Sequence, residues 1–239
     1  MNPVLMLARN NLELTKKALA SIQAQDIPTD ILLIDNDSTD GTLNWAQDNL
    51  SHVVCFRPQL GVSAGWNWGL SYIFGDPGNN HCLVINNDVE LPPWFYSTLL
   101  QWFHYIRGPE LSPEDVGFIT GSSTDSRDLL RPKEPHPPVP HPDFSAFLMN
   151  RNVWRALGPF DERMKYYAQD NDYHVRAYRA GIRMENSGVP FYHERSSTLN
   201  NAMPEERAEI QRQANADREV FKSLYGCMPW EPAYQELFK

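Results

Sequence analysis

The N-terminal part of the chain repeats one pattern. A short apolar run is followed by a polar turn and then by apolar residues at helical spacing. Pro3 to Ala8 reads as a strand. Leu12, Thr15, Leu19 and Ile22 then recur at helical spacing, which predicts an amphipathic helix from Leu12 to about Gln25. Ile31 to Ile34 is a second buried strand. It ends in Asp35-Asn-Asp-Ser-Thr-Asp-Gly41, a stretch dense in turn formers in which Asp40 is placed to cap a helix from Thr42 to Leu50. Val53 to Phe56 is a third strand. The small residues of Leu60-Gly-Val-Ser-Ala-Gly-Trp-Asn-Trp-Gly69 open a helix that runs to about Phe74, and Cys82 to Asn86 is a fourth strand. Alternation of strand and helix with short links predicts an α/β fold with a mostly parallel central sheet and helices on both faces. Right-handed crossovers then bring the carboxyl ends of these strands to one edge.

The order loosens further on. Pro93 to Arg107 reads as an aromatic-rich helix and Val116 to Thr120 as a strand. Asp125 to Asp143 is a Pro-rich loop, crowded with Pro132, Pro135, Pro137, Pro138, Pro140 and Pro142, and is expected beside a ligand cleft. Phe144 to Met149 reads as a strand and Arg151 to Leu157 as a short helix ending at Gly158-Pro159. Asp170 to Ala180 is a helix with Gly181 at its C-cap, Ile182 to Glu185 a short strand, and Pro204 to Tyr225 a long charged helix. The second half has too few strands to close a sheet of its own, so residues 1–239 read as one domain.

Composition changes this picture little. Hydrophobic residues make up 41% and charged residues 21%, the balance of a soluble globular chain. No apolar run approaches the roughly 20 residues of a membrane span. Met1-Asn-Pro-Val-Leu-Met-Leu-Ala8 has neither a basic region nor a cleavage pattern, so it reads as a strand of a cytoplasmic protein without a membrane anchor. Cys55, Cys82 and Cys227 are too few and too scattered for a disulfide frame or a zinc site. The net charge of −9 argues against a nonspecific nucleic-acid surface, and a polyanionic ligand would need a cation or local basic groups.

Candidate chemistry gathers at strand ends. The run Cys82 to Ile85 stops at Asn86, Asn87 and Asp88, where open α/β sheets bind ligands. Asp88 offers hard oxygen to a divalent cation. Asp35 ends the second strand, Gly61 to Gly69 follows the third, and Asp170 and Asp172 open a late helix. Each has a plainer reading when taken alone: an Asx turn at Asn86–Asp88, an N-cap at Asp170, a first-turn charge at Asp172, packing for Trp66 and Trp68, a structural His193.

In this order, from about Pro3 to Gly226, the stretches resemble a family-two glycosyltransferase of the GT-A fold, in the rhamnosyltransferase-like group. Asn10, Leu14 and Ala18-Leu19 match the family's opening strand and helix, with Ala8-Arg9-Asn10 where Thr-Tyr-Asn is usual. Ile34 to Thr42 resembles its base and ribose loop, and Leu60 to Gly69 its small-residue loop near the nucleotide. Asn86-Asn-Asp88 stands at its metal-binding Asp-x-Asp. Gly158-Pro-Phe-Asp161 and Tyr167-Ala-Gln-Asp-Asn-Asp172, with Arg176 and Gly181, resemble its acceptor-side signature, and His193 with Ser196-Ser-Thr198 a late metal-reaching segment.

The resemblance implies a nucleotide-sugar-binding half over residues 1–91 and an acceptor-binding half over 92–239. It implies inverting, cation-assisted transfer of a sugar from a nucleotide diphosphate to an acceptor hydroxyl of a glycan or other molecule. Ala8, Asn10, Asp35, Asp37, Gly65, Asn67, Asn86 and Asn87 would contact the nucleotide. Asp88 and His193 would hold Mn2+ or Mg2+, a mixed donor set that suits Mn2+ better than Ca2+. Asp170 would be the base, held ionised by the helix dipole, with Asp172 in support. Two residues apart on a helix, they point about 200° from each other and are not an equivalent pair. Arg9 is placed for phosphate or base contact. Asn86 and Gln169 replace acidic residues of the pattern, which weakens the expected metal dependence and keeps a catalytically silent nucleotide- or sugar-binding protein as a rival. Leu7 to Asn11 has no glycine, which disfavours a nucleotidylyltransferase or a dinucleotide dehydrogenase.

Overall fold

A computed structural model describes residues 2–105, 116–128, 142–194 and 202–239. Residues 129–141 of the Pro-rich stretch, Ser196–Thr198 and the expected helix end at Arg107 lie outside them. β1 (Asn2–Ala8), β2 (Thr29–Asp35), β3 (His52–Cys55) and β4 (His81–Asn86) are parallel. They are linked by α1 (Leu12–Gln23), α2 (Thr42–Asn49) and α3 (Val62–Gly75). β5 (Val89–Glu90) and α4 (Phe95–Tyr105) follow, then β6 (Val116–Thr124), β7 (Ala146–Asn150), α5 (Arg151–Leu157), α6 (Gln169–Arg179) and β8 (Arg183–His193). α7 (Pro204–Tyr225) and a short α8 (Pro232–Glu236) end the chain. All eight strands share one sheet, in the order β3-β2-β1-β4-β7-β6-β8-β5.

Strand alternation explains the layers. Along β1, Val4, Met6 and Ala8 face a core with Leu19 and Ile22 of α1 and Phe95, Tyr96 and Leu99 of α4. Leu5 and Leu7 face the opposite core, with Trp66 and Leu70 of α3, Phe147 of β7 and Tyr173 of α6. Both faces of β1 are covered, which is why its sequence is apolar throughout. α3 lies close on the sheet: a Cβ at Gly65 would stand 2.6 Å from Leu7 Cδ1, and one at Gly69 2.4 Å from Leu5 Cδ1. Among the described residues no helix is long and apolar enough to cross a membrane.

β8 is longer than Ile182 to Glu185. The polar Asn186-Ser-Gly188 hides its continuation in the sequence. Here the register against β6 shifts between Thr120 and Ser122. Side chains bridge the irregularity: Asn186 Oδ1 accepts Gly188 N–H at 2.8 Å, and Ser187 Oγ donates to Thr120 O at 2.8 Å.

The connectivity fixes where a ligand can sit. From β1 the chain steps outward through β2 and β3, then returns to the other side of β1 as β4. Helices on either side of that reversal leave a crevice at the carboxyl ends of β1 and β4, the position at which open α/β sheets bind ligands.

Candidate active site

The crevice is walled by tightly laced loops. Asn10 and Asn11 take left-handed conformations, φ 55° and 60°. Asn10 Oδ1 accepts Thr39 N–H at 2.8 Å, and Asn10 N–H donates to Ser38 Oγ at 2.8 Å. Asn87 Nδ2 donates to Asn10 O at 3.0 Å and Thr15 Oγ1 at 2.9 Å. Ala8 O accepts Asn36 N–H at 2.8 Å. Asp40 reaches two helix starts, accepting Leu12 N–H at 2.9 Å and Thr42 N–H at 3.1 Å. Burial alone would raise its carboxyl; hydrogen bonds from the Thr42 hydroxyl and these two N–H groups outweigh it and hold the carboxyl below the usual range. Asn10 and Asn87 therefore use these groups to shape the loops. Asn86, at the end of β4, hydrogen-bonds through its N–H to Ser145 O at 2.9 Å.

Asp35 differs. It is wholly buried, and Oδ1 accepts Ser38 N–H at 3.1 Å, while Oδ2 has no hydrogen-bond partner among the described residues. A buried acceptor without a donor is costly, about 1–3 kcal/mol or more for a charged group, so the site calls for a donor from a ligand. Asp37 lies beside it with φ 72°, 3.9 Å from Arg57 Nε. A cavity of about 300 Å³ adjoins, lined by Arg9, Asn10, Asn11, Thr39, Asp40 and Glu206, and Arg9 Nη2 is 2.9 Å from Glu206 Oε1. A larger hollow of about 630 Å³ lies around Asp26–Ile31 and Asn49–Ser51, at the opposite edge of the sheet, and contains none of these groups.

The cation candidates meet through strand pairing. β5 pairs antiparallel with β8, Val89 opposite His193, and Glu194 N–H donates to Asp88 O at 3.0 Å. This sets His193 Nε2 3.4 Å from Asp88 Oδ1. Two ligands each about 2.1 Å from one first-row ion stand about 3.0–3.4 Å apart, so the pair fits a shared cation. No group of three or more such side chains occurs among the described residues. Arg127 is clamped beside the pair, Nε 3.1 Å from Glu90 and Nη2 3.2 Å from Glu194, with its guanidinium 3.9 Å from the Tyr192 ring centre.

At the third corner, α6 starts at Gln169 after Ala168, which has φ 65° and supplies no side-chain cap. Asp170 is thus inside the first turn and is not the N-cap. Burial pushes its carboxyl above the usual range; the Asn171 N–H at 2.9 Å opposes this, and the charge of Asp143 adds to it. Burial acts against the helix dipole expected to keep Asp170 ionised. Gln169 is also buried, and its Oε1 has no hydrogen-bond partner among the described residues. Asp172 points elsewhere. Its Oδ2 accepts Arg176 Nε at 2.8 Å and its Oδ1 accepts the Tyr225 hydroxyl at 2.7 Å, which ties α6 to α7.

The small-residue loop serves this corner. Lys165 O accepts Val62 N–H at 2.7 Å, filling the start of α3, and Gly61 at φ 87° lets the two backbones meet. Asn67 donates to Phe160 O at 2.9 Å and Glu162 Oε1 at 3.0 Å, and accepts Phe160 N–H at 2.8 Å. Gly65 and Asn67, expected at the nucleotide, thus spend their smallness and their amide on packing α3 against β1 and on fixing the loop before α6.

Residues 4–107 match the family model described as Glycosyl transferase family 2. Over these residues, less than half of the chain, the sequence is similar to that family. Solved structures share the GT-A fold over nearly all of this chain. The mannosyltransferase PcManGT of Pyrobaculum calidifontis, in complex with GDP-Man and Mn2+, is 17% identical with a TM-score of 0.65, covering 99% of this chain and 67% of its own. Residues 1–349 of S. aureus TarS, in complex with UDP, are 16% identical with a TM-score of 0.60, covering 96% and 73%. Glucosyl-3-phosphoglycerate synthase of Mycobacterium tuberculosis, in complex with Mn2+, UDP and glucosyl-3-phosphoglycerate, is 16% identical with a TM-score of 0.62, covering 95% and 80%. No curated protein matches the chain by sequence.

One buried charge from the last long helix holds the candidate site together. Asp217 of α7 is wholly buried, and its Oδ2 accepts the N–H groups of Tyr166 at 2.8 Å and Tyr167 at 3.0 Å. Gln213 Nε2 donates to its other oxygen at 2.7 Å. Asp217 thereby positions the loop that leads to Asp170. Asp217→Ala leaves two N–H donors without their acceptor and is expected to cost about 2–4 kcal/mol, lowering Tm by about 5–10 °C in thermal unfolding.

Proposed function

We propose that this protein is a glycosyltransferase that moves a hexose-type sugar from a nucleoside diphosphate to an acceptor hydroxyl with inversion, assisted by Mn2+ or Mg2+. The observation that carries the reading is the Asp88–His193 pair, 3.4 Å apart, next to the β1/β4 crevice. Residues 1–91 hold the donor, through Asp35, Asp37 and the backbone at Ala8, Asn10 and Asn86. Residues 92–239 hold the acceptor, with Gln169 Oε1 as one buried acceptor atom for its hydroxyl groups. The complexes of the structural neighbours with GDP-Man or UDP, two of them with Mn2+, support this class of ligand.

Asp88 and His193 would hold the cation. When bound, it supplies positive charge against the departing diphosphate. Asp170 accepts the proton of the acceptor hydroxyl as its oxygen bonds to the anomeric carbon and the bond to the phosphate oxygen breaks. A carboxyl raised by burial is the stronger base for that transfer. One displacement with one base inverts the carbon.

The test is hydrolysis of a panel of nucleotide sugars with and without Mn2+, beside thermal shift with the matching nucleoside diphosphates. Slow, Mn2+-dependent release of nucleoside diphosphate is expected. Binding with no turnover for any donor, even with acceptor panels, would identify the silent binding protein instead. Asp35→Ala is expected to weaken nucleoside diphosphate binding about 10- to 100-fold by calorimetry while Tm holds, the loss of one hydrogen bond to a charged buried acceptor. Unchanged affinity would remove Asp35 from the site.

A further inference from the structure

Cys55 ends β3 directly across from Asp35, its register partner in β2. Its Sγ donates to Asp35 Oδ1 at 3.7 Å, on the same carboxylate whose Oδ2 is buried without a partner among the described residues. The backbone beyond Cys55 is fastened to the same loop: Phe56 N–H donates to Asp35 O at 2.9 Å and Leu60 N–H to Asn36 Oδ1 at 2.8 Å. Arg57 stands at the rim, with Nη2 3.5 Å from Ser38 O. A hydrogen bond with Cys55 raises the Arg57 guanidinium. Of the three cysteines, Cys82 and Cys227 are buried and Cys55 is half-buried.

We propose that the Cys55 thiol forms a wall of the nucleoside subsite and is a modification site shielded by the bound nucleotide; this rests on the nucleotide-donor reading above. The inference follows from the shared carboxylate. A base N–H or ribose hydroxyl bonded to Oδ2 stands next to the sulfur bonded to Oδ1. A group added to the sulfur takes that space and removes the S–H donor. With iodoacetamide the thiol proton passes to buffer, the thiolate attacks the methylene carbon, a C–S bond forms, and iodide leaves with the electrons of the C–I bond.

The experiment follows iodoacetamide adducts on the intact folded protein by mass spectrometry, with and without UDP, GDP or dTDP plus Mn2+, while calorimetry measures the binding of each nucleotide in parallel. One adduct is expected, at Cys55, forming about tenfold more slowly with whichever nucleotide binds. The alkylated protein is expected to bind that nucleotide at least about tenfold more weakly. In Cys55→Ser no adduct forms, and the ratio of affinities with and without reagent becomes one. Tight nucleotide binding with an unchanged labelling rate overturns the proposal and leaves the donor reading standing. So does a first adduct at another cysteine, or none at Cys55 under conditions that label the unfolded chain. If no nucleoside diphosphate of a panel of UDP, GDP and dTDP binds the native protein, the donor reading falls and the shielding proposal with it.

Discussion

Asp170→Asn is expected to lower transfer about 10²–10⁴-fold while nucleoside diphosphate affinity stays near that of the wild type, and to make the protein more stable at neutral pH. Both effects have one cause. Burial and the charge of Asp143 penalise the ionised carboxylate in the folded state, so its pKa lies above the unfolded value. Below pH 3.8, the ordinary value for the group, folded and unfolded chains are both protonated and Asp170 costs nothing. As pH rises, the unfolded chain gives up its proton first. The stability lost grows until pH passes the raised folded pKa, then stays constant. An amide removes that loss, so the gain in Tm of the variant over the wild type should be larger at pH 7 than near pH 4. The acid limb of kcat/KM in the wild type should fall at a pH above the usual carboxylate range. Asp172→Asn should behave in the opposite way. It disturbs the bonds from Arg176 and Tyr225, so it should lower Tm and cost less in transfer. A dead Asp172→Asn beside an active Asp170→Asn would show that the base has been assigned to the wrong carboxylate.

Much of the donor edge was legible because its signals are local. The apolar runs of β1, β2 and β4 end abruptly in Asn and Asp, and an acid closing a buried strand, as at Asp35, has few plain explanations. The right-handed crossover rule did the rest, bringing those ends together without any knowledge of side-chain contacts. The acceptor corner depends on partners far apart in sequence. Asp217 sits in a charged helix whose spacing gives no reason to bury it, and Tyr167 is 50 residues away. Small residues were ambiguous in themselves. Gly65 and Gly69 suit a backbone approaching a phosphate as well as a helix lying on a strand, and only the Leu7 and Leu5 methyl groups decide for packing. The role of Arg127 is not legible because its partners, Glu90 in β5 and Glu194 just past β8, meet only through strand pairing in three dimensions.

Asp88→Asn is expected to weaken Mn2+ binding by about 100-fold or more and to remove Mn2+-dependent turnover with it. The pattern around Asp88 makes this effect large. Two residues before Asp88 stands Asn86 rather than an acid, and no third His, Cys, Asp or Glu side chain joins Asp88 and His193 among the described residues. Losing the carboxylate of this pair removes its anionic ligand, whereas replacement of an outer partner typically costs only about 10–100-fold. His193→Ala removes a neutral donor and should cost less than the anionic ligand. Calorimetric titration of Mn2+ into each variant, with and without nucleoside diphosphate, separates ion loss from loss of turnover. The same 3.4 Å spacing also suits an ion pair with protonated His193, and the two readings part on chelation. A shared ion predicts that EDTA abolishes donor hydrolysis and that Mn2+ restores it in the wild type but not in Asp88→Asn. If the wild type keeps full turnover in EDTA, Asp88 and His193 hold each other and the diphosphate is stabilised by other groups.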